Sequence, residues 1–178
     1  MKSALLVIDV QKGCFDPSPH PYEAALVIAR INTLTAKARL AGAPVIFVQH
    51  EEQGLEYDSE NWQLVPELCV KEGDVTCRKT ASDAFLRTDL QQQLISWKVE
   101  QVIICGYSTQ FCVDSTVRCA AALGYSVILV SDAHTCHDQL HASGRQIREH
   151  HNLTLSNIGS YGVEIKTLTT ANVDFTWN

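Results

Sequence analysis

An aspartate, a lysine and a cysteine set the chemical question. Asp9 closes the apolar run "LLVIDVQ", Lys79 stands in "GDVTCRKTASDAF", and Cys112 follows "VEQVIIC" within "GYSTQFCVDSTVRCAAALGY", residues 106–125. An anion among Val7, Ile8 and Val10 is costly to bury unless something pairs with it. A cysteine in the first turn of a helix faces unpaired backbone N–H groups and the positive dipole end, which favour thiolate. An acid, an ammonium and a thiol are the parts of a thiol acyl-transfer site: the carboxylate manages protons, the ammonium holds the thiolate, and sulfur attacks a carbonyl. Each residue alone has an ordinary alternative. Asp9 could accept turn N–H bonds, Lys79 could be a solvated surface charge, and Cys112 could be a core thiol like Cys105 and Cys119.

Bringing the three together is a task for the fold. Apolar runs rich in Val and Ile recur at 4–10, 44–49, 101–106 and 126–132, with little polar alternation, as strands buried on both faces require. A short strand is predicted to end near Arg78 or Lys79, and "NLTLSN" (152–157) reads as a last one. Helical patterns lie between: one from Tyr22 ending at Gly42, one starting at a capping Thr88, one from Thr109 closing at Gly124, and "DQLHASGRQIREHH". This alternation predicts an α/β fold, a doubly wound, mostly parallel sheet of about six strands with helices on both faces. Ligands bind such sheets beyond the carboxyl ends of the strands, where Asp9 and Cys112 fall. The long irregular stretch from Glu51 to Ala81 is of the kind that often carries function.

The chain has 178 residues, a net charge of −6 and no basic run, which excludes a phosphate-neutralising surface for nucleic acid or anionic membrane. The apolar stretch in "MKSALLVIDVQKG" is too short to span a bilayer and lacks a small-residue cleavage site. Seven cysteines without CxxC spacing suggest neither a disulfide framework nor a thiolate zinc site, and reduced thiols fit the cytoplasm. With no repeat or linker composition, one domain over residues 1–178 is expected.

The segments "LLVIDVQ", "PVIFVQH", "NWQLVPEL", "GDVTCRKTASDAF", "VIICGYSTQFCVDSTVRCAAALGY" and "VSDAHT" resemble the isochorismatase-like cysteine hydrolases, which include nicotinamidases and carbamoyl-amide hydrolases. The resemblance runs from Ala4 to about Tyr161 and is most specific at Gly106, Thr109, Cys112 and Val113. It implies a catalytic triad of Asp9, Lys79 and Cys112, and a cis peptide between Tyr107 and Ser108 that lets the Ser108 and Cys112 N–H groups form an oxyanion hole. It also implies cleavage of a C–N bond in a small amide or carbamoyl compound through a thioester, without a cofactor, by a homodimer or higher homo-oligomer. Vinyl-ether hydrolysis, with Asp9 as the acid, and a non-catalytic α/β binding module are the alternatives. The binding module lacks a G-x-G-x-x-G or Walker loop after the first strand.

The Asp-x-His metal motif of nicotinamidases is missing where Gln49, His50, Glu51 and Glu52 stand, so no metal is expected and His50 reads as a loop histidine bonded to backbone or solvent. His134, His137 and His141 in "HTCHDQLH" read as a solvated helix start. Phe15, Trp62, Phe85 and Phe111, together with Tyr107, are candidates to wall an apolar substrate pocket. Among the seven thiols, Cys112 is the one expected to be alkylated first.

Overall fold

The computed structural model describes residues 1–177, and among these six strands form a single sheet. In chain order the elements are β1 (Ser3–Ile8), α1 (Lys12–Phe15), α2 (Ala24–Leu40), β2 (Val45–His50), β3 (Val75–Lys79), α3 (Leu90–Ser96) and β4 (Gln101–Tyr107). A π-helical turn (Thr109–Val113), α4 (Asp114–Ala122), β5 (Ser126–Thr135), α5 (Gly144–Ser156) and β6 (Ile165–Leu168) follow. The sheet order is β3-β2-β1-β4-β5-β6, and every neighbouring pair is parallel.

The central strands are apolar throughout because both faces are covered. Along β1, Leu6 and Ile8 enter one core layer with Leu90 and Leu94 of α3, Val117 and Ala120 of α4 and Leu155 of α5. Leu5 and Val7 enter the other layer, against Val27, Ile31, Leu34 and Ala38 of α2. The spacing of those four α2 residues puts them on one helical face. Among the described residues no helix is long and apolar enough to cross a membrane.

From β1 the chain winds outward through β2 to β3, then returns to the other side of β1 for β4, β5 and β6. The switch point therefore lies between β1 and β4, and the crevice beyond their carboxyl ends is where an open parallel sheet binds ligands. Gly106, paired with Ile8, makes that junction close. Its φ is +116°, and a Cβ there would run into the Ile8 backbone, so a residue without a side chain lets the end of β4 lie against the end of β1.

Residues 152–157 do not form a strand. They belong mostly to α5, which opens at Ser143 with a capping box: the Ser143 hydroxyl accepts from the Gln146 N–H, and the Gln146 side chain accepts from the Ser143 N–H. The polar/apolar alternation of "NLTLSN" imitates a strand, but Ile147 and Leu155 are buried two helical turns apart, with Asn152 also turned toward the sheet. The last strand is instead Ile165–Leu168, pairing with β5. Residues 138–143, expected to be helical, form a turn held by a Gln139–Ala142 bridge.

Candidate active site

Asp9 leaves β1 with φ +48°, its N–H donating to the Val48 carbonyl at 2.9 Å. Aspartate is among the few residues that visit this left-handed region readily. Lys79 is the last residue of β3 and lies in register with His50 at the end of β2. Cys112 rides on the π-helical turn after β4, where the Ser108 carbonyl accepts from the N–H groups of both Phe111 (3.0 Å) and Val113 (3.1 Å). The peptide between Tyr107 and Ser108 is cis.

The turn is tied to the sheet through a buried histidine. Asn152 Nδ2 donates to the Ser131 carbonyl (3.0 Å), so its Oδ1 is free to accept from His134 Nε2–H at 2.9 Å. His134 Nδ1 is then the acceptor for the Thr109 hydroxyl, also at 2.9 Å. Every member of this chain has a defined donor direction, which fixes the first residue of the cysteine turn relative to β5 and α5.

Lys79 is the hub. Its side chain is fully buried, and Nζ lies 2.8 Å from Asp9 Oδ2, 3.2 Å from Cys112 Sγ, 3.0 Å from His50 Nδ1 and 3.1 Å from the Ala81 carbonyl oxygen. An ammonium carries three protons and no acceptor, so His50 Nδ1 accepts and the imidazole carries its proton on Nε2. Four acceptors compete for three protons. Asp9 Oδ1, also buried, has no hydrogen-bond partner.

Burial dominates the electrostatics. It raises the Asp9 carboxyl above its ordinary 3.8, with Lys79 pulling the other way. Burial alone would lower Lys79, but Asp9 and Cys112 together outweigh it and hold the ammonium above its ordinary value. Burial pushes the Cys112 thiol up to about 12, Asp9 adding to the rise and Lys79 opposing it. The helix terminus and the ammonium that favour a thiolate are thus opposed at Cys112 by desolvation and by the Asp9 carboxylate, which favour the protonated thiol.

A cavity of about 550 Å³ opens beside Cys112. Asp9, Ser108, Tyr107 and Phe111 line it, together with His50, His137 and the loop Glu52–Leu55. Of the aromatics expected around the thiol, Phe111 and Tyr107 are there, whereas Phe15, Trp62 and Phe85 are not in the lining. Phe15 is core, edge-on to Tyr107 at 5.6 Å. Phe85 stacks on Tyr125 at 6.1 Å. Trp62 packs edge-on to Tyr57, and its carbonyl receives the side-chain amides of Gln11 and Gln49.

The histidines are also not where the sequence suggested. His134 is a buried strand residue, His137 accepts from or donates to the Tyr107 hydroxyl at 2.9 Å in the cavity wall, and only His141 is exposed. His50 bonds Lys79 rather than backbone or solvent. Among the described residues no group of three or more His, Cys, Asp or Glu side chains is placed to hold a metal ion.

The model of the isochorismatase domain matches residues 3–167. Streptothricin hydrolase of Streptomyces noursei is 36% identical over 140 residues, which cover 76% of this chain and 50% of that protein, so the chain spans half the length of that relative. Ureidoacrylate amidohydrolase RutB of Klebsiella pneumoniae is 30% identical over 171 residues, covering 74% of this chain and 72% of that protein. A crystal structure of an isochorismatase family protein superposes with a TM-score of 0.87 at 35% identity, covering 94% of this chain and 98% of the other. With the domain model spanning nearly the whole chain and the same fold in a relative of equal extent, this chain belongs to the isochorismatase family.

Proposed function

We propose that this chain is a cysteine hydrolase that cleaves the C–N bond of a small amide or carbamoyl compound through a thioester on Cys112. The observation that carries the proposal is the position of the buried Lys79 Nζ, 2.8 Å from Asp9 Oδ2 and 3.2 Å from Cys112 Sγ, beside the cavity that Asp9 and Cys112 line. Two relatives bear the names streptothricin hydrolase and ureidoacrylate amidohydrolase, which supports hydrolysis of this bond class.

In this mechanism the unpartnered Asp9 Oδ1 takes the thiol proton as Sγ attacks the carbonyl carbon, so a thiolate never has to accumulate in the free enzyme. The carbonyl oxygen gains the electron pair and is met by the Ser108 and Cys112 N–H groups, both on cavity-lining residues. The tetrahedral adduct collapses, the C–N bond breaks, and Asp9 returns the proton to the leaving nitrogen. Water then attacks the thioester, giving one proton to Asp9, which passes it to the departing sulfur. Lys79 offsets the charge on Asp9 and on sulfur throughout.

The proposal is tested by ammonia release from a panel of amides, ureides and carbamoyl compounds. Cys112→Ala is expected to abolish it, whereas Cys119→Ala, at a packing position on α4, is expected to retain most of it. Equal losses in the two variants contradict the assignment.

A further inference from the structure

The charge of the cavity wall selects among substrates. Among the described residues no arginine or lysine lines the cavity, and the nearby ammonium of Lys79 is fully buried and oversubscribed by four acceptors. The charged side chains in the wall are Asp9, paired with Lys79, and Glu52.

Glu52 differs from Glu51 and Glu60 in lacking a cationic partner, and from Glu56 and Asp58 in lining the cavity. Glu51 is held by Arg78, whose guanidinium also covers the Tyr57 ring, and Glu60 is held by Lys12 at 2.6 Å. Glu52 faces only Nε2 of His50, at 3.5 Å. That imidazole is neutral as long as its Nδ1 accepts from the Lys79 ammonium. A negative charge without a cationic partner thus stands in the wall of the cavity that the nucleophile also lines. An anionic substrate finds repulsion there and no compensating cation.

We infer that the substrate is an amide whose remote end carries a positive charge, an ammonium or an amidinium-like group, set against Glu52 while its carbonyl carbon meets Cys112 Sγ. This rests on the hydrolase reading above and names the substrate class that reading leaves open. Glu52 acts as a specificity residue; its side chain is 62% exposed, so the attraction is screened by water and weakens with salt.

The test uses three primary amides of one chain length, ending in an ammonium, a methyl and a carboxylate group. Ammonia release by the intact chain should give a kcat/KM for the ammonium-terminated amide roughly two- to fivefold above that for the methyl-terminated one, the worth of one exposed, screened charge pair. The carboxylate-terminated amide should rank last. The ratio should fall toward one in Glu52→Gln and with rising salt, and the order should invert in Glu52→Lys. A native preference for the methyl or carboxylate end, or a ratio indifferent to both substitutions, overturns the inference while leaving the hydrolase reading intact. If none of the three releases ammonia, their binding to Cys112→Ala by calorimetry still decides the charge preference. Tighter binding of the ammonium form supports the inference, and equal, absent or carboxylate-favouring binding overturns it.

Discussion

Lys79 donates to His50 Nδ1 at 3.0 Å while also lying 3.2 Å from the sulfur of Cys112, so the imidazole and the thiol share one ammonium. A protonated thiol is a weak acceptor beside a carboxylate, a carbonyl and an imidazole, so the sulfur is the partner left short when three protons meet four acceptors. Replacing His50 by leucine frees one Lys79 proton for sulfur and is expected to speed Cys112 alkylation severalfold at fixed pH, through a lowered thiol pKa. The rate of carboxymethylation of the Cys112 peptide measures this. An unchanged or slower rate shows that His50 does not compete for the ammonium.

The seven thiols should not react in the order expected from the sequence. Burial pushes Cys14 and Cys112 up to about 12 and Cys77, Cys119 and Cys136 up to about 11, and it raises Cys105 as well. Cys69 is the exposed one. Limiting iodoacetamide is expected to label Cys69 first with hydrolytic activity retained, and activity should then fall in step with labelling of Cys112. Peptide mapping at partial modification checks both parts. Early loss of activity with Cys69 as the only labelled site contradicts the assignment of the nucleophile.

The His134 network makes stability depend on pH. Burial holds this imidazole neutral, with its pKa pushed down to about 4 from 6.5, and the nearby Arg148 adds to the lowering. Between those values the unfolded chain binds the proton and the folded chain does not, so stability falls as pH drops through the window and is fully present above it. The upper limit of this contribution is roughly 3 kcal/mol. Urea midpoints measured across the window should fall with acidity in the native chain and fall less in His134→Gln, which keeps a polar side chain but cannot titrate. Parallel slopes in the two proteins contradict the linkage.

The meeting of Asp9, Lys79 and Cys112 was legible because a parallel sheet puts its ligand edge at the carboxyl ends of strands, and each of the three stands at or just past such an end. The cavity wall was less legible. Phe15 and Phe85 sit beside the motifs in sequence but face opposite core layers, and which layer a side chain enters depends on helix placement that spacing does not encode. His50 looked like an isolated loop residue because its partner is fixed by the β2–β3 register, which pairs it with Lys79. The segment 152–157 misled because a short polar/apolar alternation fits a strand, and only the capping box at Ser143 sets the helical phase that runs through it.

The central claim is that acyl transfer passes through the sulfur of Cys112. Its most direct measurement is rapid acid quench during turnover of an amide that releases ammonia, followed by mass spectrometry of the protein and its peptides. The account predicts an adduct on the Cys112 peptide with the mass of the amide less ammonia, removed by hydroxylamine and absent in Cys112→Ala. Ammonia release that persists in Cys112→Ala, or an acyl adduct on any other residue, contradicts it.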